Sequence, residues 1–207
     1  MKEIFYATNN PGKIFEVSKH LTPQEIKIIS PKDLNINLDV EENGSTLEEN
    51  AKLKTAAYIE LVKNMPIIAD DTGVEIDALD GAPGIHVRRW KDGKTRMSDQ
   101  EIIDYCMALM KDVPAVKRGA QFRTVISLYY NSEFFSAEGT LKGKILENPG
   151  KETIKGFPFE TLFYITEYEM PLWQLHELTG EEKEKYLTHR EKAIQKALPK
   201  LLSILED

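Results

Sequence analysis

The sequence predicts an α/β fold on a mixed sheet, and three observations carry that prediction. A short apolar run, Lys2 to Tyr6, passes through Thr8-Asn9-Asn10-Pro11-Gly12 directly into a helical pattern. Two later segments open with Ser-x-x-Glu, the pair of side chains that caps a helix start. Alternating Phe122, Thr124, Ile126, Leu128 and Tyr130, the polar pair Asn131-Ser132 and the stretch Phe134 to Ile145 read as a long antiparallel hairpin.

Taken in order, the elements follow from local chemistry. After the first strand, Asn10 suits the N-cap and Pro11 the first helical position, so a helix runs to about Leu21. Glu25 to Ile29 reads as the second strand. Ser45-Thr46-Leu47-Glu48 opens a helix to about Lys63, whose 3.6-residue stripe is Leu47, Ala51, Lys54, Tyr58 and Leu61. Pro66 to Ala69 reads as a buried strand that ends in Asp70-Asp71, with Thr72-Gly73 as a turn signal. Ser98-Asp99-Gln100-Glu101 caps a helix carrying Ile102, Ile103, Cys106, Leu109 and Met110. Thr179 and Thr188 are N-cap candidates with Glu182 and Glu191 three residues on. The last helix starts near His189, and Pro199 is expected to break or kink it.

The 207 residues fit one domain, residues 1–207, large enough to bury a core without staples. A content of 41% hydrophobic and 29% charged residues is that of a soluble globular chain. The lone Cys106 excludes an internal disulfide framework and, set in an apolar helix, reads as a buried thiol rather than a nucleophile. No run is long and apolar enough for a membrane span, and the first residues contain no signal-peptide core, so the expectation is a cytoplasmic protein without a membrane partner. A net charge of −7 argues against a nucleic-acid surface but is compatible with a small phosphorylated ligand.

Five places could carry chemistry, each with a plainer reading beside it. Asp70-Asp71 after a buried strand would suit a hard cation such as Mg²⁺, or simply a surface turn. Thr8 to Lys13 could cradle phosphate on the backbone N–H groups of a helix start, with Lys13 as a mobile cation, or could be an ordinary capped helix. Glu41-Glu42 precede a helix and suit its dipole, while Lys54 among apolar positions suggests function unless it snorkels to water. Lys183, His189 and Arg190 bracket the last helix start, where cations oppose the dipole without an anionic partner, or form a solvated face. The turn Gly156-Phe157-Pro158-Phe159-Glu160 could stack on and hydrogen-bond a base, or plug the edge of a core.

In this order the motifs resemble one family over nearly the whole chain, the inosine triphosphate pyrophosphatases, which remove deaminated purine nucleotides. The resemblance rests on Ala7-Thr8-Asn9-Asn10-Pro11-Gly12-Lys13 with Glu16, on Glu41-Glu42-x-Gly44 with Glu49-Asn50-Ala51 and Lys54, on Ala69-Asp70-Asp71-Thr72-Gly73, and on Gly81-Ala82-Pro83-Gly84. Glu182-Lys183 and His189-Arg190 complete it. It implies two lobes around a long mixed β-sheet with a central cleft, a homodimer, and Mg²⁺-assisted hydrolysis of ITP, dITP or XTP to monophosphate and pyrophosphate. By that likeness Thr8, Asn9, Asn10, Pro11, Gly12, Lys13 and Lys54 hold the triphosphate, and Glu42 and Asp71 hold the metal. Asp71, with Asp70 beside it, is the catalytic carboxylate that takes a proton from water or positions it, and Thr72 touches the substrate. Phe157, Pro158, Phe159 and Glu160, with Lys183, His189 and Arg190, form the nucleobase pocket.

The chain departs from the family at the base end. Gly156-Phe157-Pro158-Phe159-Glu160-Thr161 stands where the family has Gly-Phe-Gly-Tyr-Asp-Pro, and Val87-Arg88-Arg89 where it has Ser-Ala-Arg. The spacing from Lys183 to His189 is one residue longer. Two other readings therefore accompany the main one: a pyrophosphatase for other modified nucleoside triphosphates, and a nucleotide-binding protein with little turnover.

Overall fold

The computed structural model describes residues 2–151 and 155–206. It is a mixed α/β structure on an eight-stranded open sheet. The strands are β1 (Lys2–Tyr6), β2 (Ile26–Ile29), β3 (Ile67–Ile76), β4 (Pro83–Gly84), β5 (Gly119–Tyr130), β6 (Glu133–Ile145), β7 (Phe163–Ile165) and β8 (Met170–Pro171). The helices are α1 (Pro11–Leu21), α2 (Leu47–Ala56), α3 (Asp99–Leu109), α4 (Leu172–Glu177), α5 (Gly180–Glu184) and α6 (His189–Glu206). The sheet order is β2-β1-β3-β5-β6-β7-β8, with β4 paired to β3. β1 is parallel to β2 and β3, whereas β6–β7, β7–β8 and β3–β4 are antiparallel.

The chain divides into two compact units, residues 1–72, 124–140 and 188–207, and residues 73–123 and 141–187. In the first unit the residues of β1 alternate between two cores, as strand geometry requires. Ile4 and Tyr6 pack with Val17 and Leu21 of α1 and with Ala193, Ile194 and Ala197 of α6. Phe5 and Ala7 face the other way, with Ile67, Ala69, Tyr58 and Val62. The second unit has a core of its own, in which Ile102, Ile103 and Cys106 of α3 meet Phe122, Leu141, Ile145, Phe159 and Phe163.

Several sequence expectations hold to the residue. Asn10 caps α1 through its side chain, Ser98 and Glu101 form a reciprocal capping box, and Thr188 and Glu191 form another. Asn131 and Ser132, at φ of 47° and 65°, make the two-residue hairpin turn. Others are corrected. Thr72-Gly73 is not a turn, because β3 runs through it to Ile76, so the two aspartates sit inside a strand. The cap of α2 is Thr46, one residue later than expected, with Glu49 reaching back to Ser45 N at 2.7 Å. α2 stops at Ala56 rather than Lys63, since the next bonds tighten to an i+3 pattern, as in Tyr58 N to Thr55 O at 3.2 Å. That change of phase buries Val62 and leaves Leu61 52% exposed. Leu109 of α3 is likewise exposed. Thr179 precedes α5 but makes no side-chain cap. α6 continues past Pro199 because Pro199 and Gln195, whose carbonyl loses its partner, both face solvent while Ile194, Ala197 and Leu201 stay buried. Among the described residues, no helix is long and apolar enough to cross a membrane.

Candidate active site

Asp70 and Asp71 are consecutive in a strand, so their side chains leave it on opposite faces. Both are buried, and each meets a different set of cations. Asp70 receives the Tyr6 hydroxyl at 2.6 Å, the Lys13 ammonium at 2.9 Å and Arg190 Nε at 3.1 Å. Arg190 also pairs with Glu16 of α1. The α1/α6 side of the first unit thus holds an interlocked group of two carboxylates, a guanidinium, an ammonium and a phenol. Asp71 faces α2: its Oδ1 lies 2.8 Å from Lys54 Nζ and its Oδ2 accepts from Asn50 at 3.3 Å. The same Lys54 ammonium lies 3.0 Å from Glu42.

These partners push the two aspartates in opposite directions. Burial by itself raises the Asp70 carboxyl, but Lys13, Arg190 and Lys54 outweigh it and hold it well below the usual carboxylate range. Burial also raises the Asp71 carboxyl, and Lys54 offsets only part of that. Burial lowers the Lys13 ammonium despite Asp70. The Lys54 ammonium is raised, since Asp71 and Glu42 outweigh its burial. Asp70 is therefore a fixed anion, and Asp71 a carboxylate with more proton affinity than its neighbour.

The loop before α1 is laced by its own hydrogen bonds. Asn10 Oδ1 accepts from Gly12 N at 2.9 Å and Lys13 N at 3.4 Å, Thr8 Oγ1 accepts from Asn10 N, and Pro11 has no N–H. Asn9 accepts from Lys32 N at 3.1 Å. The N–H groups of Asn10, Gly12 and Lys13 are thus engaged by the loop's own side chains, and Lys13 adds the loop's charge.

The metal expectation meets a donor set of two. Among the described residues no three His, Cys, Asp or Glu side chains gather into a ready-made cage. Glu42 and Asp71 nevertheless converge on one cation, the Lys54 ammonium, and both offer hard carboxylate oxygen. That set fits Mg²⁺, which keeps waters and takes substrate phosphate oxygens beside one or two carboxylates.

At the start of α6, His189 Nδ1 lies 2.6 Å from Thr124 Oγ1, which in turn lies 2.7 Å from Thr72 Oγ1. Thr8 to Lys13, Glu42, Lys54, Asp70 to Thr72, His189 and Arg190 all belong to the first unit. The second unit holds Phe157 to Glu160 and Lys183. There Phe159 is a core residue, 5.7 Å from the Trp90 ring, and the buried Glu160 pairs with His176. Lys183, also buried, donates to Tyr186 O at 2.8 Å. Gly156, at φ +99°, starts that turn between two clamps: Asp99 accepts its N–H at 2.7 Å, and Arg88, paired with Asp99, donates to its carbonyl. Arg88, one of the departures from the family, therefore holds the start of the turn that carries another of them.

Sequence reasoning left Tyr6, Asn50 and Thr124 out of the site. Each obeys its local pattern as a strand or helix residue, and its role comes from neighbours distant in sequence.

Comparison with known proteins bears out the resemblance. The model of the Ham1 family matches residues 4–200. A protein of Thermoanaerobacter pseudethanolicus named dITP/XTP pyrophosphatase is 36% identical over 206 residues, 99% of each chain. One of the same name from Bacillus subtilis is 34% identical over 203 residues, 98% of each chain. The solved structure of the Staphylococcus aureus Ham1 protein superposes with a TM-score of 0.77 at 33% identity, covering 98% of this chain and 99% of that one. A HAM1 protein from Coxiella burnetii gives 0.78 at 30% identity, with 98% and 99% covered.

Proposed function

This chain belongs to the Ham1 family, and from that premise we propose that it hydrolyses deaminated purine nucleoside triphosphates, ITP, dITP and XTP, to monophosphate and pyrophosphate. The observation that carries the reading is the array on β3, where adjacent buried acids on opposite faces are each matched by a lysine. Such an array has cations to give to a triphosphate and a carboxylate to spare for water. On binding, the phosphates would take over Lys13 and Lys54. Glu42 and Asp71 would then hold Mg²⁺, which neutralises charge on the phosphate oxygens when bound.

Asp71, released from Lys54, orients the water that attacks the α-phosphorus and takes or directs its proton. The new P–O bond forms as the bond to the bridging oxygen breaks, and pyrophosphate leaves. Asp70 stays ionised and holds Arg190 in place. Thr72 lies beside both groups. Phe157, Pro158, Phe159, Glu160, Lys183, His189 and Arg190 are assigned to the base, in one catalytic domain over residues 1–207. The protein would act as a cytoplasmic homodimer, without a nucleic-acid or membrane partner.

The test is Mg²⁺-dependent pyrophosphate release from ITP, dITP and XTP beside GTP, ATP, dUTP and dCTP. Turnover concentrated on the first three, lost on chelation, is expected. Asp71→Asn should lower kcat by about 10²–10⁴-fold with an unchanged circular dichroism spectrum. Activity confined to another base would overturn the substrate, and binding without release would overturn the enzyme.

A further inference from the structure

A run of hydrogen bonds leads from Arg190 through two threonine hydroxyls to His189, and all its members belong to the first unit. Arg190 Nη2 donates to Thr72 Oγ1 at 3.1 Å, the Thr72 and Thr124 hydroxyls are 2.7 Å apart, and Thr124 Oγ1 is 2.6 Å from His189 Nδ1. Thr124, His189 and Arg190 are each at most 5% exposed, so bulk water does not set their orientation.

The donors and acceptors fix the direction of this run. A guanidinium only donates, so Thr72 Oγ1 accepts from Arg190. The Thr72 proton then has two destinations, Asp70 Oδ2 at 3.4 Å or Thr124 Oγ1 at 2.7 Å. Hydroxyl hydrogen bonds span about 2.5–3.0 Å, so the first contact is too long. Asp70 Oδ2 is moreover already occupied by Lys13 at 2.9 Å and Arg190 Nε at 3.1 Å. The Thr72 proton therefore goes to Thr124, and the Thr124 proton goes to His189 Nδ1.

We propose that Thr124 is a positioning residue that fixes His189 in the tautomer with its proton on Nε2, so that His189 can only donate to a base. The part of this that concerns substrate rests on the nucleotide reading above. A donor at His189 matches the 6-oxo group of hypoxanthine, xanthine or guanine, and meets another donor in the 6-amino group of adenine. Discrimination against ATP is thereby tied, through Thr72, to the buried Arg190–Asp70 pair.

The imidazole nitrogen–proton correlation spectrum of the ligand-free protein tests the tautomer directly, with His189→Asn identifying the signal. The expected result is an Nε2-protonated His189 in the parent protein, loss of that single tautomer in Thr124→Val, and its return in Thr124→Ser. In parallel, the ITP-to-ATP ratio of kcat/KM should fall about tenfold in Thr124→Val, with Thr124→Ser close to the parent. An Nδ1-protonated parent, or an unchanged tautomer in Thr124→Val, overturns the proposal. A changed tautomer with an unchanged ratio overturns its selectivity part. If the tautomer is as stated but no triphosphate is hydrolysed, the proposed function fails and the selectivity part goes with it.

Discussion

Asp70 illustrates what a buried carboxylate requires: Tyr6, Lys13 and Arg190 supply donors to both of its oxygens. Removing only the charge leaves Lys13 and Arg190 facing a neutral amide, so Asp70→Asn should cost about 3 kcal/mol, read as a lower urea midpoint with an unchanged slope. An unchanged midpoint would mean that Glu16 alone balances the guanidinium. The sign of the pH dependence follows from the depressed Asp70 carboxyl. Its contribution is fully present above the range where the unfolded carboxylate titrates, and it is lost as pH falls. In metal-free buffer the gap between parent and Asp70→Asn should therefore narrow progressively as pH falls below about 4. Cys106 is the opposite case, a thiol that burial pushes up to about 12 and that takes no part in this chemistry. At this scale the sequence exposed the charged members of the site, because Lys54, Asp70 and Asp71 interrupt apolar patterns. Thr124 stayed hidden because a threonine in an alternating strand interrupts nothing.

At the scale of elements, the seat of α6 on β6 controls where His189 and Arg190 stand. A Cβ at Gly139 would lie 2.0 Å from His189 O and 2.5 Å from Ala193 N, and neither backbone atom can swing aside. Gly139→Ala should displace the first turn of α6, with a cost of about 1–3 kcal/mol in stability and about 10²-fold in kcat/KM. A variant with parent-like kinetics and melting temperature would show that the helix start can shift without consequence. The helix starts were legible in the sequence, since caps are local chemistry, as at Asn10, Ser98 and Thr188. Helix ends and strand lengths were less so. α2 stops where Tyr58 turns in to pack on Phe5, 4.9 Å between ring centroids, and β3 overrides its Thr-Gly signal through ladder pairing with β4. Both outcomes depend on partners that no local window contains.

Across the whole molecule, neither compact unit is a continuous stretch of chain. The boundaries fall at 72/73, 123/124, 140/141 and 187/188, so the first unit is not complete until its last residues are in place. Truncation after Leu187 would strip Ala193, Ile194 and Ala197 from Ile4, Tyr6 and Val17, and Arg190 from two buried acids. Such a chain should lose near-ultraviolet dichroism and cooperative unfolding, while a sharp transition like that of the parent would show that α6 is dispensable. The mixed α/β class was predictable from the order of helical and extended patterns. The division into units was not, because it depends on where β3, β5 and β6 pass from one core to the other. Strand β3 also sets a rule for how this gene can change. A codon gained or lost between Ile67 and Ala69 inverts the parity of everything downstream in the strand, handing the partners of Asp70 to Asp71 and the reverse. Only paired insertions or deletions preserve the assignment, so length variation in descendants of this chain should collect in its loops and pass over these few positions.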